Sequence, residues 1–130
     1  MTPSKLRKQS KRPISKLKRE AWKLFSAFIR KRDKNICFTC GAVTYGSSYH
    51  AGHMIPRLIC GPILYFSEEA VRGQCFRCNI NLGGNGAVFA FNYEKRYGKE
   101  KYLRLMRLWR ETRGTKWTEA YLLEIIKKYA

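Results

Sequence analysis

Four of the five cysteines occur as two short pairs, Cys37-Phe-Thr-Cys40 and Cys75-Phe-Arg-Cys78. A Cys-x2-Cys turn directs two thiolates at one ion, and two such turns supply the tetrahedral four-sulfur set that structural zinc prefers. The segment between the pairs contains both histidines of the chain, His50 and His53. The spacing therefore predicts a structural Zn²⁺ site formed by the four paired cysteines.

Two disulfides are the alternative use of the same cysteines. We expect no secretory signal in this chain, and the fifth cysteine, Cys60, would be left over. Zinc is thus the favoured interpretation. Cys60 has no spaced partner, so we interpret it as a buried small apolar residue rather than as a fifth ligand or a catalytic thiol.

Composition indicates a small globular protein that attracts polyanions. The chain has 130 residues, of which 45% are hydrophobic and 14% aromatic, so one folded domain is expected rather than disorder. Its 27 Lys and Arg outnumber 9 Asp and Glu, which gives a formal charge of +18. Nucleic acid is the first partner that this charge suggests. An anionic membrane surface or a merely solvated basic face are the alternatives.

No apolar run approaches the roughly 18 to 20 residues that span a bilayer. We therefore expect a soluble protein with no membrane partner. The expected location is the cytoplasm, which is that of the bacterial host if the protein is phage-encoded.

The chain divides into stretches of different character, which must position the cysteines and histidines. Residues 1–15 are basic and interrupted by prolines, so they predict a flexible arm. The remainder, 16–130, is predicted to be one domain. Its parts are an amphipathic helix at 16–34, a compact cysteine-containing core at 37–85 and a helical tail at 86–130.

Within the core, Tyr49–Ile55 and Glu69–Gln74 have the length of paired strands, and a helix can begin after Cys78. The order is therefore strand, strand, helix. The tail shows helical periodicity in three segments, with Thr118 as a plausible N-cap of the last one. These segments are Val88 to Tyr97, Lys99 to Glu111 and Thr118 to Tyr129.

Together these motifs resemble the HNH, or ββα-metal, endonucleases and, within them, the phage recombination nucleases of the NinG (Rap) type. The resemblance covers roughly Trp22 to Asn85. It rests on Cys37-x2-Cys40, Ala51-Gly52-His53, Gln74-Cys75-x2-Cys78-Asn79 and Gly84-Asn85. It implies an α+β fold with a small zinc-stapled ββα-metal, treble-clef-like core between an N-terminal helix and a C-terminal helical tail.

The resemblance also implies roles for individual residues. His53 matches the strand histidine that acts as general base, and Asn79 matches the residue that ligates a catalytic divalent ion, Mg²⁺ or Mn²⁺. His50 falls near the same ion, and Asn81 is a second-choice ligand. The zinc in that family is structural.

Two positions depart from the family pattern. Where the similar proteins have Asp-Ala-Gly-His, this chain has His50-Ala51-Gly52-His53, and imidazole suits Mn²⁺ better than Mg²⁺. The central asparagine that orients the base is Ala70 here. Either another group orients His53 or the activity is reduced. Glu68 and Glu69 are candidates for a missing carboxylate, although solvated loop charges explain them as well.

The resemblance implies a metal-dependent DNA endonuclease that hydrolyses phosphodiester bonds, with branched recombination intermediates such as Holliday junctions or flaps as substrates. A homodimer is expected if four-way junctions are cut by paired nicks. The alternatives are a non-catalytic zinc-stapled module that binds DNA or RNA, and a structural or assembly protein. The predicted nucleic-acid-binding residues are Arg57, Arg72, Arg77, Lys8, Lys11 and Arg12.

Overall fold

A computed structural model describes residues 13–130, and the arm residues Lys8, Lys11 and Arg12 lie outside this range. In chain order the elements are helix α1 (Ile14–Asp33), a 3-10 turn (Gly46–Ser48), strand β1 (Tyr49–His53), helix α2 (Gly61–Tyr65), strand β2 (Val71–Cys75), a π-helical turn (Arg77–Asn81), helix α3 (Gly86–Tyr97), helix α4 (Lys99–Thr112) and helix α5 (Glu119–Tyr129). The fold is mixed α+β with a two-stranded antiparallel sheet. Among the helices within 13–130, none is both long and apolar enough to cross a bilayer.

Helix α1 is amphipathic, as its sequence pattern predicts. Leu17, Ala21, Phe25 and Ile29 recur every four residues, and all four side chains are fully buried. Residues at this spacing lie on one face of a helix, so a single apolar stripe is removed from water while the basic residues stay on the surface.

The ends of α1 follow from backbone chemistry. Pro13 precedes the first turn, and its carbonyl accepts hydrogen bonds from the amides of Lys16 and Leu17. The helix ends at Asp33 because Lys34 and Asn35 take left-handed backbone angles, with φ of 55° and 65°. A helix was predicted at 16–34, and the structure has it at Ile14–Asp33, so the last two residues assigned to the arm belong to the helix.

Strands β1 and β2 pair in a register that determines which side chains meet. The paired residues are Tyr49 with Cys75, His50 with Gln74, Ala51 with Gly73, Gly52 with Arg72, and His53 with Val71. Directly opposed residues project to the same side of an antiparallel sheet, and sides alternate along each strand. His50, Gly52 and Gln74 therefore share one face, which we call the Gly52 face.

The C-terminal end of α1 holds strand β2 in place. Asp33 Oδ2 accepts a hydrogen bond of 2.7 Å from the backbone amide of Gly73. The Arg32 guanidinium donates to the carbonyls of Glu68, at 2.6 Å, and Val71, at 2.9 Å. Arg32 also forms an ion pair with Asp33 at 2.7 Å, so the two side chains brace each other.

Helix α2 was not predicted from the sequence. It lies between the two strands, begins at Gly61 with a φ of 78°, and carries Pro62 in its first turn. Five residues are too few to display helical periodicity, which explains the omission. The strands are shorter than predicted at one end each, since β1 stops at His53 and β2 begins at Val71.

The tail forms the three helices that its periodicity predicts, with ends within two residues of the predicted ones. Gly98, with a φ of 95°, separates α3 from α4, a backbone angle that glycine adopts without steric cost. Thr118 caps α5, because its Oγ1 accepts a hydrogen bond of 3.1 Å from the amide of Tyr121.

The chain divides into two compact units. One contains α1 up to Phe25 together with Trp117–Ala130, and there the rings of Phe25 and Tyr129 meet edge to face with centroids 5.0 Å apart. The other is Ser26–Lys116, whose core includes the rings of Phe38 and Phe89 at 4.9 Å. The four paired cysteines and both histidines belong to this second unit.

Candidate metal centre and histidine site

The first cysteine pair is built as a tight turn that leaves both sulfurs on the same side. The amide of Cys37 donates to the carbonyl of Ala42 at 2.8 Å, and the amide of Gly41 donates back to the carbonyl of Cys37 at 2.9 Å. Gly41 has a φ of 78°, which an L side chain rarely adopts, so the turn requires this glycine. Cys37 is buried and Cys40 is exposed.

The second cysteine pair lies where β2 passes into the π-helical turn. Cys75 is the last residue of the strand, and its Sγ accepts from the amide of Cys78 at 3.4 Å. The side-chain amide of Asn85 donates to Cys78 Sγ at 3.7 Å. Donors placed around sulfur favour the thiolate, which is the form that binds metal.

The two pairs bring four sulfurs together, with all of them within 4.8 Å of one another. Cys40 Sγ and Cys75 Sγ, from different pairs, are 3.7 Å apart. A tetrahedral zinc site with Zn–S bonds of about 2.3 Å places neighbouring sulfurs about 3.8 Å apart. None of the five cysteines is in a disulfide. The cluster is thus suited to a structural metal such as zinc, as the spacing predicts.

Electrostatics give the cluster a reason to take up a cation. Burial acts to raise the pKa of Cys37, but hydrogen bonds, of which the one to Thr39 is the strongest, lower it to about 6. For Cys40, a backbone hydrogen bond at Ala42 acts to lower the pKa. Burial and hydrogen bonds with the three neighbouring thiols outweigh it and raise the pKa to about 12. The first thiolate forms readily, and its negative charge opposes deprotonation of the next thiol. A divalent ion is therefore needed to keep all four cysteines as thiolates.

Cys60 lies outside the cluster, as predicted. It is buried, and its thiol donates to the carbonyls of Arg57 at 3.6 Å and Gly61 at 3.4 Å, at the start of α2. The interpretation as a buried small residue is confirmed.

His50 and Asn79 are brought together across the Gly52 face. His50 Nε2 lies 2.8 Å from the carbonyl oxygen of Ser47, which can only accept, so Nε2 carries the proton. In the neutral ring Nδ1 is then an acceptor, and the Asn79 Nδ2 donates to it at 2.9 Å. The orientation of both side chains follows from this chain of bonds, and Asn79 Oδ1 is turned away from His50.

The ring of His53 is fixed by the last residue of helix α2, Tyr65. Its Nε2 donates to the carbonyl of Tyr65 at 3.0 Å, and its ring packs against the Tyr65 ring with centroids 4.7 Å apart. Burial raises the pKa of Tyr65, while a hydrogen bond with Arg57 offsets part of the effect. Helix α2 therefore ends in a residue that fixes the predicted base, whereas Ala70 is buried and its carbonyl accepts from the Met54 amide.

The other predicted site residues have different surroundings. Asn81, at the end of the π-helical turn, and Arg77 at its start are exposed. Arg72 is stacked on aromatic rings, with its guanidinium 5.4 Å from the Phe38 centroid and 4.8 Å from that of Tyr97. These residues stay predictions as site residues.

The two candidate acids form different contacts. The Glu69 carboxylate accepts from the Tyr93 hydroxyl at 3.3 Å, whereas Glu68 accepts from Arg32 through its backbone carbonyl. Glu69 is exposed and Glu68 is half-buried.

Gln74 and Thr39 are site residues that sequence reasoning did not assign. Gln74 is fully buried, and its Nε2 donates to Thr39 Oγ1 at 3.2 Å and to the carbonyl of Gly84 at 2.8 Å. Thr39 Oγ1 is also 3.2 Å from Cys37 Sγ. The signal was a polar residue directly before Cys75, but its position opposite His50 emerges only from the strand register.

Comparison with known proteins identifies a family. The family described as Bacteriophage Lambda NinG protein matches residues 2–130. The protein ninG of Escherichia phage lambda is 33% identical over 97 residues, which are 74% of this chain and 47% of that protein. The protein ninG of Salmonella phage P22 is 35% identical over 82 residues, which are 62% of this chain and 39% of that protein.

The chain spans about half the length, or less, of these curated relatives. No solved structure matches it significantly. The family match nevertheless extends over nearly the whole sequence, and this chain belongs to the bacteriophage lambda NinG family.

Proposed function

We propose that this chain is a divalent-metal-dependent DNA endonuclease with a zinc-stapled ββα-metal, or HNH-type, core. The observation that carries the proposal is the contact of His50 with Asn79 at 2.9 Å, between strand β1 and the turn that contains Cys78. His53, on the same strand but on the other side of the sheet, has a ring fixed by the Tyr65 carbonyl. A metal-ligating side chain and an oriented imidazole are the two parts that hydrolysis of a phosphodiester needs.

His53 supplies the general base. Because Nε2 donates its proton to the Tyr65 carbonyl, the lone pair of the neutral ring is on Nδ1, which takes a proton from the attacking water. The water attacks phosphorus in line, and the bond to the 3′ oxygen breaks, which leaves a 5′ phosphate. The Tyr65 carbonyl provides the orientation that a central asparagine, here Ala70, provides in HNH enzymes.

Asn79 fits a divalent ion through its oxygen, the donor type that Mg²⁺ and Mn²⁺ prefer. Its nitrogen is engaged by His50 Nδ1, so Oδ1 faces away from the ring and can bind a cation. An ion bound there supplies stabilisation of the negative charge that builds up on the phosphorane and on the departing oxygen.

Nucleic acid is the substrate that the charge favours. Next to β1, a cavity of about 410 Å³ is lined by Arg30, Lys31, Lys34, Asn35, Gly46 and Tyr49. Three of these residues are cationic and none is acidic, so the cavity suits a backbone phosphate. Tyr49 precedes His50 in β1, which places this cavity at the start of the site strand. Arg57, which is hydrogen-bonded to Tyr65, adds a cation beside the residue whose ring packs on His53.

Branched DNA and the catalytic use of Mg²⁺ or Mn²⁺ enter the proposal through the resemblance to recombination nucleases. Paired nicks in a four-way junction require two active sites related by symmetry, so we propose a homodimer on that substrate. A location in the bacterial cytoplasm follows if DNA of the host or of a phage is the target.

A non-catalytic zinc module that binds DNA or RNA is the second candidate. One observation favours it: both ring nitrogens of His50 are engaged in hydrogen bonds, and His50 replaces the aspartate of similar sequences. A site without that carboxylate holds an ion less strongly. The module would bind nucleic acid in a salt-sensitive way without cutting it.

Cleavage assays separate the two candidates. End-labelled four-way junction, flap and linear duplex DNA are incubated with zinc-loaded protein in Mg²⁺, Mn²⁺ or EDTA, beside His53→Ala. We expect cutting in Mn²⁺ or Mg²⁺, none in EDTA, and a loss of about 10²- to 10⁴-fold in His53→Ala, as for removal of a general base.

The controls are zinc content and DNA affinity, which should be the same in both proteins. Binding of all three DNAs without cutting in either ion would establish the non-catalytic module instead.

A further inference from the structure

The amide oxygen of Gln74 is a buried polar atom without a hydrogen-bond partner. Gln74 is fully buried, and among the described residues its Oε1 is the buried side-chain polar atom that lacks one. Buried carbonyl oxygens are nearly always satisfied, because an unsatisfied one has lost its interactions with water and gained nothing. The exception requires an explanation.

The position of this oxygen is imposed by the other half of the amide. Gln74 Nε2 donates to the carbonyl of Gly84, which can only accept, at 2.8 Å, and to Thr39 Oγ1 at 3.2 Å. The amide therefore cannot be turned over without placing its oxygen against the Gly84 carbonyl. Oε1 is directed towards the Gly52 face.

Asn79 presents a second amide oxygen to the same place. A Cβ added to Gly52 would collide with Gln74 Oε1 and would lie 3.0 Å from Asn79 Oδ1. Gln74 Oε1 thus occupies the place that a side chain on Gly52 would take, and Asn79 Oδ1 borders that place. Two carbonyl oxygens that converge repel each other unless a donor or a cation lies between them.

The two amides are held by one continuous series of hydrogen bonds. The Ser47 carbonyl fixes the tautomer of His50, His50 Nδ1 accepts from Asn79 Nδ2, and Asn79 Oδ1 is thereby directed at the Gly52 face. From the other side, Gly84 and Thr39 direct Gln74 Oε1 to it. Both nitrogens are occupied, so both oxygens are available.

We propose that Gln74 Oε1 and Asn79 Oδ1 are the two protein ligands of the divalent ion, and that His50 is a positioning residue that turns Asn79 rather than a ligand. This inference rests on the proposed function and assigns the donors of its ion. Amide oxygens are hard donors that suit Mg²⁺ and Mn²⁺. Gly52 is required because any larger residue would collide with Gln74 Oε1 and displace it.

The test measures binding of the ion without catalysis. Zinc-loaded protein, with its cysteines saturated, is titrated with Mn²⁺, and the electron paramagnetic resonance signal of unbound Mn²⁺ gives the affinity. The variants are Gln74→Met, which retains the side-chain length but removes the oxygen, Gly52→Ala and Asn79→Ala. Ile80→Ala is the control, since Ile80 is an exposed residue in the same turn. We expect about 10-fold or greater loss of affinity in the first three and no change in Ile80→Ala.

Gln74→Met also removes two buried hydrogen bonds, so zinc content and circular dichroism must match the wild type. If that variant does not fold, Gln74→Glu decides: it adds a charge to the proposed ligand atom, and it should bind Mn²⁺ more tightly than the wild type. Equal or weaker binding by folded Gln74→Glu would overturn the assignment.

The role of His50 has its own readout. Electron spin echo modulation detects an imidazole nitrogen bonded directly to Mn²⁺, and we expect no such coupling in the wild type. A directly bonded nitrogen would show that His50 is a ligand and would refute the positioning role.

The outcomes distinguish the inference from the function on which it rests. Unchanged affinity in Gln74→Met, with loss in Asn79→Ala, overturns the Gln74 ligand and leaves the nuclease proposal intact. A wild type with no Mn²⁺ site that depends on Asn79 overturns both.

Discussion

The sulfur cluster and the Gly52 face lie in the same compact unit, but they are built in opposite ways. Each half of the cluster is a local turn of four residues, and its donors become negatively charged and repel one another. The Gly52 face is formed by neutral polar side chains that come from β1, β2 and the turn after β2. The first region is suited to a cation that offsets this repulsion, whereas the second is held by hydrogen bonds among neutral side chains.

From this difference we expect the sulfur cluster to contribute mainly to stability and the Gly52 face mainly to the proposed function. Four thiolates around one ion supply folding free energy, because the unfolded chain has no such site. Neutral amide oxygens bind a divalent ion weakly, so under the proposed function the phosphate of the substrate would contribute much of the charge that keeps the ion in place. The proposal therefore combines a tightly held structural metal with an exchangeable catalytic one.

The largest expected effect is loss of the sulfur cluster. Cys75→Ser should abolish cooperative unfolding of the Ser26–Lys116 unit, because structural zinc supplies roughly 10 kcal/mol or more of apparent binding free energy in small domains. Thermal denaturation and zinc content measure it. The control is Cys60→Ser, which alters a buried thiol outside the cluster and should cost about 1 kcal/mol. Equal loss in both variants would mean that the cluster has no special part in folding.

The Gly52 face should behave in the reverse manner. Asn79→Ala removes the proposed ligand oxygen of a half-buried side chain, so we expect cleavage to fall about 10²-fold or more while the free energy of unfolding changes by about 1 kcal/mol. Nicking rates and denaturant titrations on the same preparation test this. Ile80→Ala, an exposed residue of the same turn, is the control and should leave both quantities near the wild type. If Asn79→Ala unfolds, Asn79 has a role in folding, like the cysteines, rather than a role confined to cleavage.

The link between α1 and β2 should have an intermediate effect on stability. Asp33→Ala leaves the buried amide of Gly73 without its acceptor and removes the ion pair with Arg32, which we expect to cost about 1 to 3 kcal/mol. Urea denaturation of zinc-loaded protein measures the change. Glu94→Ala, an exposed carboxylate on α3, serves as control and should be neutral. A neutral Asp33→Ala would show that the strand register does not depend on α1.

The smallest effect is expected at Thr39, whose side chain touches both regions. Its Oγ1 lies 3.2 Å from Cys37 Sγ and 3.2 Å from Gln74 Nε2. Thr39→Val retains the shape and removes the hydroxyl, so it should cost about 1 kcal/mol in stability and weaken Mn²⁺ binding slightly. Thr39→Ser should restore both. If Thr39→Val is silent in stability and in Mn²⁺ affinity, the two regions are energetically independent.

Prediction from the sequence succeeded where the information is local. The spacing of Cys37 and Cys40, the amphipathic pattern of 16–34 and the cap at Thr118 each depend on neighbours along the chain, and the structure agrees with all three. Helix α2 was missed because five residues carry no periodic signal. The hydrogen-bond partner of His53 was missed for the same reason, because it is the backbone carbonyl of Tyr65 in α2, and no side-chain pattern reveals a backbone group.

The sequence by itself determined the four sulfur donors, the basic charge, the family and the order of the two strands. The helix expected after Cys78 is instead a π-helical turn, Arg77–Asn81, that contains Cys78. Only the tertiary structure decided that His50 meets Asn79, that Gln74 lies opposite His50, and that the oxygens of Gln74 and Asn79 converge above Gly52. The physical reason is register. A shift of one residue between β1 and β2 would send Gln74 to the other side of the sheet, and nothing local to either strand fixes that choice.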